Sequence, residues 1–176
     1  MKLKITSLLM IIVICMSVIG CTQSDKISTE QIGKPVGNII AVPDKIIIHN
    51  ISNSKELDKT NPELKNIVKL TNSRFHDKIS TAKDIIDDTQ MQSIFKDGLG
   101  IEFIYSDEQE LSINGDGFKP FKYNKLYFQL ISEKYGDEQG SPVHNMQYGD
   151  KEQYKDWSIG PLKYSEDLVK VVENLK

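Results

Sequence analysis

Arginine is nearly missing from this 176-residue chain: Arg74 is the single one among 22 basic side chains, and all the others are lysine. Nucleic-acid binders normally carry an arginine-rich basic face. With 25 acidic residues the formal charge is −3, so a nucleic-acid role is disfavoured. Cysteine is equally scarce. Cys15 and Cys21 both fall in the first 21 residues, so everything downstream lacks a disulfide or a thiol and must be stabilised by packing. The three histidines, His49, His76 and His144, lie far apart, with no His-Glu-x-x-His and no cysteine pair. No metal and no other cofactor is implied. A Gly-x-Ser-x-Gly elbow and a complete glycine-rich phosphate loop are missing too, since Gly98-Leu99-Gly100 lacks the rest of either pattern. The sequence names no catalytic residue.

What is present begins at the N-terminus. Lys2 and Lys4 precede an apolar run from Ile5 to Ile19, and Val18-Ile19-Gly20-Cys21 closes it. Crossing a bilayer takes about 20 apolar residues, and this run is shorter, ending at a small residue as a secretory cleavage site does. The closing tetrapeptide resembles the lipobox of bacterial lipoproteins. The resemblance implies that residues 1–20 are a signal peptide removed before Cys21. It also implies that Cys21 is a lipid attachment site, carrying a diacylglycerol thioether and often a palmitate or other N-acyl chain. Two or more chains anchor stably where a single one is marginal. The expected location is the extracytoplasmic face of the cell membrane.

Residues 21–43 read as the lipidated cysteine and a flexible tether, polar and punctuated by Gly33, Pro35, Gly37 and Pro43. A flexible chain of that length reaches roughly 25 Å. Ile39 to Val42 is an apolar exception, fit to dock as a short edge strand. Residues 44–176 read as one extracytoplasmic domain. Lys45 to His49 is a β-branched strand. Thr60-Asn61-Pro62-Glu63 has the spacing of a capping box and opens a helix carrying Leu64, Ile67, Val68 and Phe75. A short strand is expected around Lys83 to Ile86. Asp87 and Gln90 then predict a helix over 88–96 that Gly98 ends.

From Gly100 the apolar period changes to two. Ile101, Phe103 and Tyr105 alternate with Glu102, Ile104 and Ser106, Asp107-Glu108 marks a turn, and Leu111 and Ile113 read as a return strand. Lys125 to Ser132 is the clearest later strand, and Val143–Tyr148 and Asp156–Ile159 are two more. Ser165 caps a terminal helix with Leu168, Val171, Val172 and Leu175 on one face. The expected fold is α+β: a single domain, a mostly antiparallel sheet with two or three helices packed on one face.

All seven tyrosines, Trp157 and five of six phenylalanines lie after residue 94. Tyr135, Tyr148, Tyr154 and Trp157 sit in or beside turn-rich segments, and partly exposed aromatics favour recognition. They form the candidate binding surface. The expected function is non-enzymatic: a membrane-anchored lipoprotein that binds or modulates another envelope protein. The alternatives are a cell-envelope hydrolase with a carboxylate-based site, favoured by a deep pocket converging on two carboxylates, and a small-ligand-binding lipoprotein. For the anchor, Cys21→Ser is expected to abolish fatty-acid labelling and to accumulate uncleaved precursor; processing as in the wild type would overturn it.

Overall fold

A computed structural model describes residues 33–51, 53–84, 86–114, 118–134 and 140–176. The expected signal peptide, Cys21, the first part of the expected tether and Tyr135 lie outside them. The described residues form eight strands and three helices. In chain order these are β1 (Lys45–Asn50), β2 (Ser54–Asp58), α1 (Glu63–Asn72), β3 (Ser80–Lys83), α2 (Asp88–Phe95) and β4 (Leu99–Leu111). β5 (Phe121–Ser132), β6 (Ser141–Pro142), β7 (Met146–Gly149), β8 (Tyr154–Gly160) and α3 (Glu166–Glu173) complete the fold. The strands make one antiparallel sheet in the order β2-β1-β4-β5-β7-β8-β3, with β6 pairing beside β5. The α+β expectation holds. No helix among the described residues is long and apolar enough to cross a membrane.

Alternation along the strands divides the sheet into two faces. Ile46, Ile48, Ile101, Phe103, Leu126, Phe128, Met146 and Ile159 are buried on one face in a single apolar cluster. Leu64, Ile67 and Val68 of α1 and Leu168, Val169 and Val172 of α3 cover it. Side chains of the opposite parity, Tyr127 with Tyr154, form a second and smaller cluster with Met91 of α2. Two helices thus share one face, and the third lies on the other. That placement makes a site.

Local chemistry explains where the elements start. Asp87 accepts from the Gln90 amide at 2.8 Å while the Gln90 side chain accepts from the Asp87 amide at 2.9 Å, so the expected capping box forms. Gly98 has φ +80°, the left-handed conformation in which a side chain is strained. Ser165 accepts from the Leu168 amide and opens α3. At α1 the expected box does not form. The Thr60 amide and hydroxyl both turn to Asp58, at 2.8 and 2.5 Å, and Asn61 accepts from the Glu63 amide instead.

Two strand expectations change. Asp107-Glu108 is not a turn: β4 runs on through it, taking up extra residues between the Ile104–Lys125 and Gln109–Tyr123 pairs as a bulge. The strand expected at Lys83–Ile86 lies earlier, at Ser80–Lys83. β2 is an edge strand whose only buried side chain is Leu57, which left no apolar alternation to read.

Of the segment expected as a tether, residues 33–43 are docked on the domain. Asn72, buried at the end of α1, accepts from the amides of Ile39 and Ile40 at 2.8 and 2.9 Å and donates to the Ile40 and Val68 carbonyls. Tyr105 donates to the Ala41 carbonyl, and Pro35 bridges to His76. Ile40 is buried by this clamp rather than by strand pairing. Asn72→Ala leaves two amides without an acceptor and is expected to cost roughly 2–3 kcal/mol, with faster proteolysis between residues 33 and 43. Limited digestion and urea unfolding measure both.

Candidate functional site

The site grows out of the β1–β2 hairpin. Because Ile46 and Ile48 point into the main core, His49 emerges on the opposite face of β1. Asn50 and Asn53 close the turn through a backbone bond of 3.0 Å and an amide–amide bond of 2.8 Å. This places Ser54 directly across from His49. On the other side of β1, Glu102 of β4 lies opposite Ile47 and shares the face of His49. Glu102 is buried, and so is His49.

A buried carboxylate needs donors, and Glu102 has two. The His49 imidazole bonds its Oε2 through Nε2 at 2.9 Å, and the Tyr154 hydroxyl donates to its Oε1 at 2.7 Å. Burial pushes the Glu102 carboxyl up, but these hydrogen bonds, with the charges of His49 and Lys125, outweigh it and hold the group below the usual carboxylate range. Glu102 is therefore ionised and accepts only. It follows that His49 Nε2 carries a proton, and in the neutral ring Nδ1 accepts from Ser54 Oγ at 3.1 Å. Burial beside Glu102 pushes the Tyr154 phenol well up, which keeps it a donor.

Helix α2 roofs the arrangement. Phe95 stacks on the His49 ring with centroids 4.4 Å apart and planes 9° from parallel. Tyr127 meets Phe95 edge-on at 4.9 Å, and Lys125 Nζ lies 4.8 Å above the Tyr154 ring. Gly100 makes room: a Cβ there would meet Tyr127 Oη at 2.2 Å, so a side chain at that position displaces the ring. Between the hairpin, α2 and β8 opens a cleft of about 620 Å³, lined by His49, Ser54, Phe95, Glu102 and Tyr154 among others. Gln92 of α2 and Lys96, just past its end, border it, while the exposed acids Asp88 and Glu152 stand at its margin.

Of the four aromatics singled out in the sequence, the three among the described residues do not form one surface. Tyr154 reaches the cleft, though as a buried donor rather than an exposed platform. Tyr148 belongs to the opposite face, stacked on Phe121 at 3.9 Å. Trp157 is 38 % exposed on β8 across from Lys83 of β3. Tyr135 lies outside the described residues. Sequence reasoning passed over His49, Ser54, Phe95 and Glu102. The one available signal was an acid in the middle of an apolar alternation, Ile101-Glu102-Phe103, on a strand whose outer face has to be either wet or occupied. His76 and His144 are engaged elsewhere, with the Lys78 amide and the Leu162 carbonyl. Among the described residues no three His, Cys, Asp or Glu side chains come together to hold a metal ion.

Glu102 titrates below its ordinary value in the fold, so its contribution to stability is complete above the ordinary carboxylate pKa and is lost as pH falls through the lower folded value. Glu102→Gln is expected to lose roughly 2–3 kcal/mol at neutral pH, with the gap to the wild type closing in acid; urea midpoints at neutral and acid pH measure it. Comparison of the chain with protein-family models, with curated proteins and with solved structures gave no match.

Proposed function

We propose that the protein is a lipid-anchored extracytoplasmic binding domain, held at the membrane through Cys21, which takes a group from another envelope component into the cleft beside His49 and Glu102. The observation that carries this reading is the cleft itself. It is concave, floored by aromatic rings and one hydrogen-bonded carboxylate, and edged by the polar side chains of Asn50, Asn53 and Gln92. Concave sites with an apolar floor and a few fixed polar groups are the usual form of a recognition pocket. The floor is also preorganised: Phe95 and Tyr127 lock the His49 ring, and Tyr154 locks Glu102, so a ligand need not order them.

A hydrolase built on paired carboxylates draws less support. Glycoside cleavage needs two carboxyls facing one bond. Here Glu102 is buried and doubly hydrogen-bonded, whereas Asp88 and Glu152 are exposed. A photo-crosslinking residue in place of Gln92, in the full chain in cells, is expected to give a discrete adduct that the same residue in place of Lys65 on α1 does not. Cys21→Ala should remove it. No adduct above that control at the cleft position would overturn the reading.

A further inference from the structure

We propose that Ser54 is an acyl-accepting nucleophile, activated by His49 and aimed into the cleft, which would act on ester or thioester carbonyls. This goes beyond the binding reading and does not require an envelope partner. Three side chains stand in the order that nucleophilic catalysis needs: an exposed hydroxyl, a buried imidazole and a buried carboxylate. Ser54 Oγ is 3.1 Å from His49 Nδ1, and His49 Nε2 is 2.9 Å from Glu102 Oε2. Both lie within the reach of a working nucleophile–base–carboxylate relay. The nitrogens are exchanged relative to the usual serine hydrolase, in which the serine meets Nε2 and the carboxylate meets Nδ1. The imidazole is chemically competent either way round.

A hairpin alone accounts for a serine facing a histidine. It does not account for the rest. Phe95 stacks flat on the ring and Tyr127 meets it at 5.9 Å, so His49 keeps one orientation, with Nδ1 toward Ser54 and Nε2 toward Glu102. Tyr154 occupies the second carboxylate oxygen at 2.7 Å and fixes the orienting group in turn. Gln92 of α2 and Lys96, just past its end, line the same cleft and carry N–H groups of the kind that can meet a developing oxyanion.

The step balances without any co-reactant other than water. Ser54 Oγ forms a bond to the carbonyl carbon while its proton passes to His49 Nδ1, and the imidazolium is stabilised by Glu102. As the carbon–oxygen or carbon–sulfur bond to the leaving group breaks, that proton moves from Nδ1 to the departing atom. Water then attacks the acyl carbon, giving up a proton to Nδ1, and the acyl carbon–Oγ bond breaks as that proton passes to Ser54 Oγ, which releases the acid and the free serine. Ser54 and His49 are the reacting groups. Glu102 and Tyr154 are positioning residues.

The test is covalent labelling of the full chain, in detergent, with a fluorophosphonate, followed by peptide mass spectrometry. One adduct per chain is expected at Ser54 and none at Ser93, an exposed serine of α2 that serves as an internal control in the same folded molecule. Ser54→Ala should lose the adduct, and His49→Gln should slow it at least a hundredfold. Tyr154→Phe should slow it less and shift its pH profile, which a purely structural role would not do. Turnover of a p-nitrophenyl ester should follow the same ranking. Labelling of Ser54 no faster than of Ser93, or a rate unchanged in His49→Gln, would overturn the proposal. Loss of the crosslink at position 92 with Ser54 labelling intact would count against the partner reading alone.

Discussion

A carboxylate sunk into the face of a sheet is tolerated only if donors meet both its oxygens, and Glu102 imposes that condition on everything around it. His49 comes from β1, the neighbour of β4, whereas Tyr154 comes from β8 and reaches Glu102 across β5 and β7. Tyr127 and Phe95 then fill the space that those three leave, and α2 has to lie where Phe95 can stack on His49. The second face of the sheet is thus organised by charge and hydrogen bonding, the first chiefly by apolar burial.

The first face shows what this costs. There Ile, Leu, Phe and Val from both helices and five of the strands make one continuous cluster, with the Phe103 and Phe128 rings at its centre, 5.4 Å apart. The chain's single arginine braces its margin. Arg74 donates to the carbonyls of Val143 and Lys163, 2.8 Å each, and its own carbonyl accepts from the Lys163 amide. Burial pushes its guanidinium down to about 10. A cation held by carbonyls rather than by an acid positions loops without tying up a carboxylate, and the acids of the other face stay available for its own network.

How far the sequence disclosed this follows from how local each feature is. The Asp87–Gln90 box, the Ser165 cap and the alternation of Leu126, Phe128 and Leu130 depend on residues four or fewer apart, and they are legible. Thr60 was misleading because Asp58, two residues earlier, competes for the same hydroxyl. Asp107-Glu108 was misleading because an acid pair is an ordinary turn signal, and only the pairing of β4 with β5 reveals that the strand continues. The site was the least legible part. Ser54 and His49 are near in sequence, but Glu102, Phe95 and Tyr154 join them only through strand order, which no local pattern encodes.

The clamp at Asn72 has a mechanical meaning. Any pull arriving along the chain from before Gly33 meets the pairing of Lys34 and Pro35 with Asp77 and His76 first, then the paired amides of Ile39 and Ile40 on Asn72 and the Ala41 carbonyl on Tyr105, and only afterwards β1. The load therefore enters through the end of α1, on the side of the sheet away from the cleft. His49, Ser54 and Glu102 are shielded from it, and tension on the chain is spent peeling a short strap from a helix before it distorts the pocket.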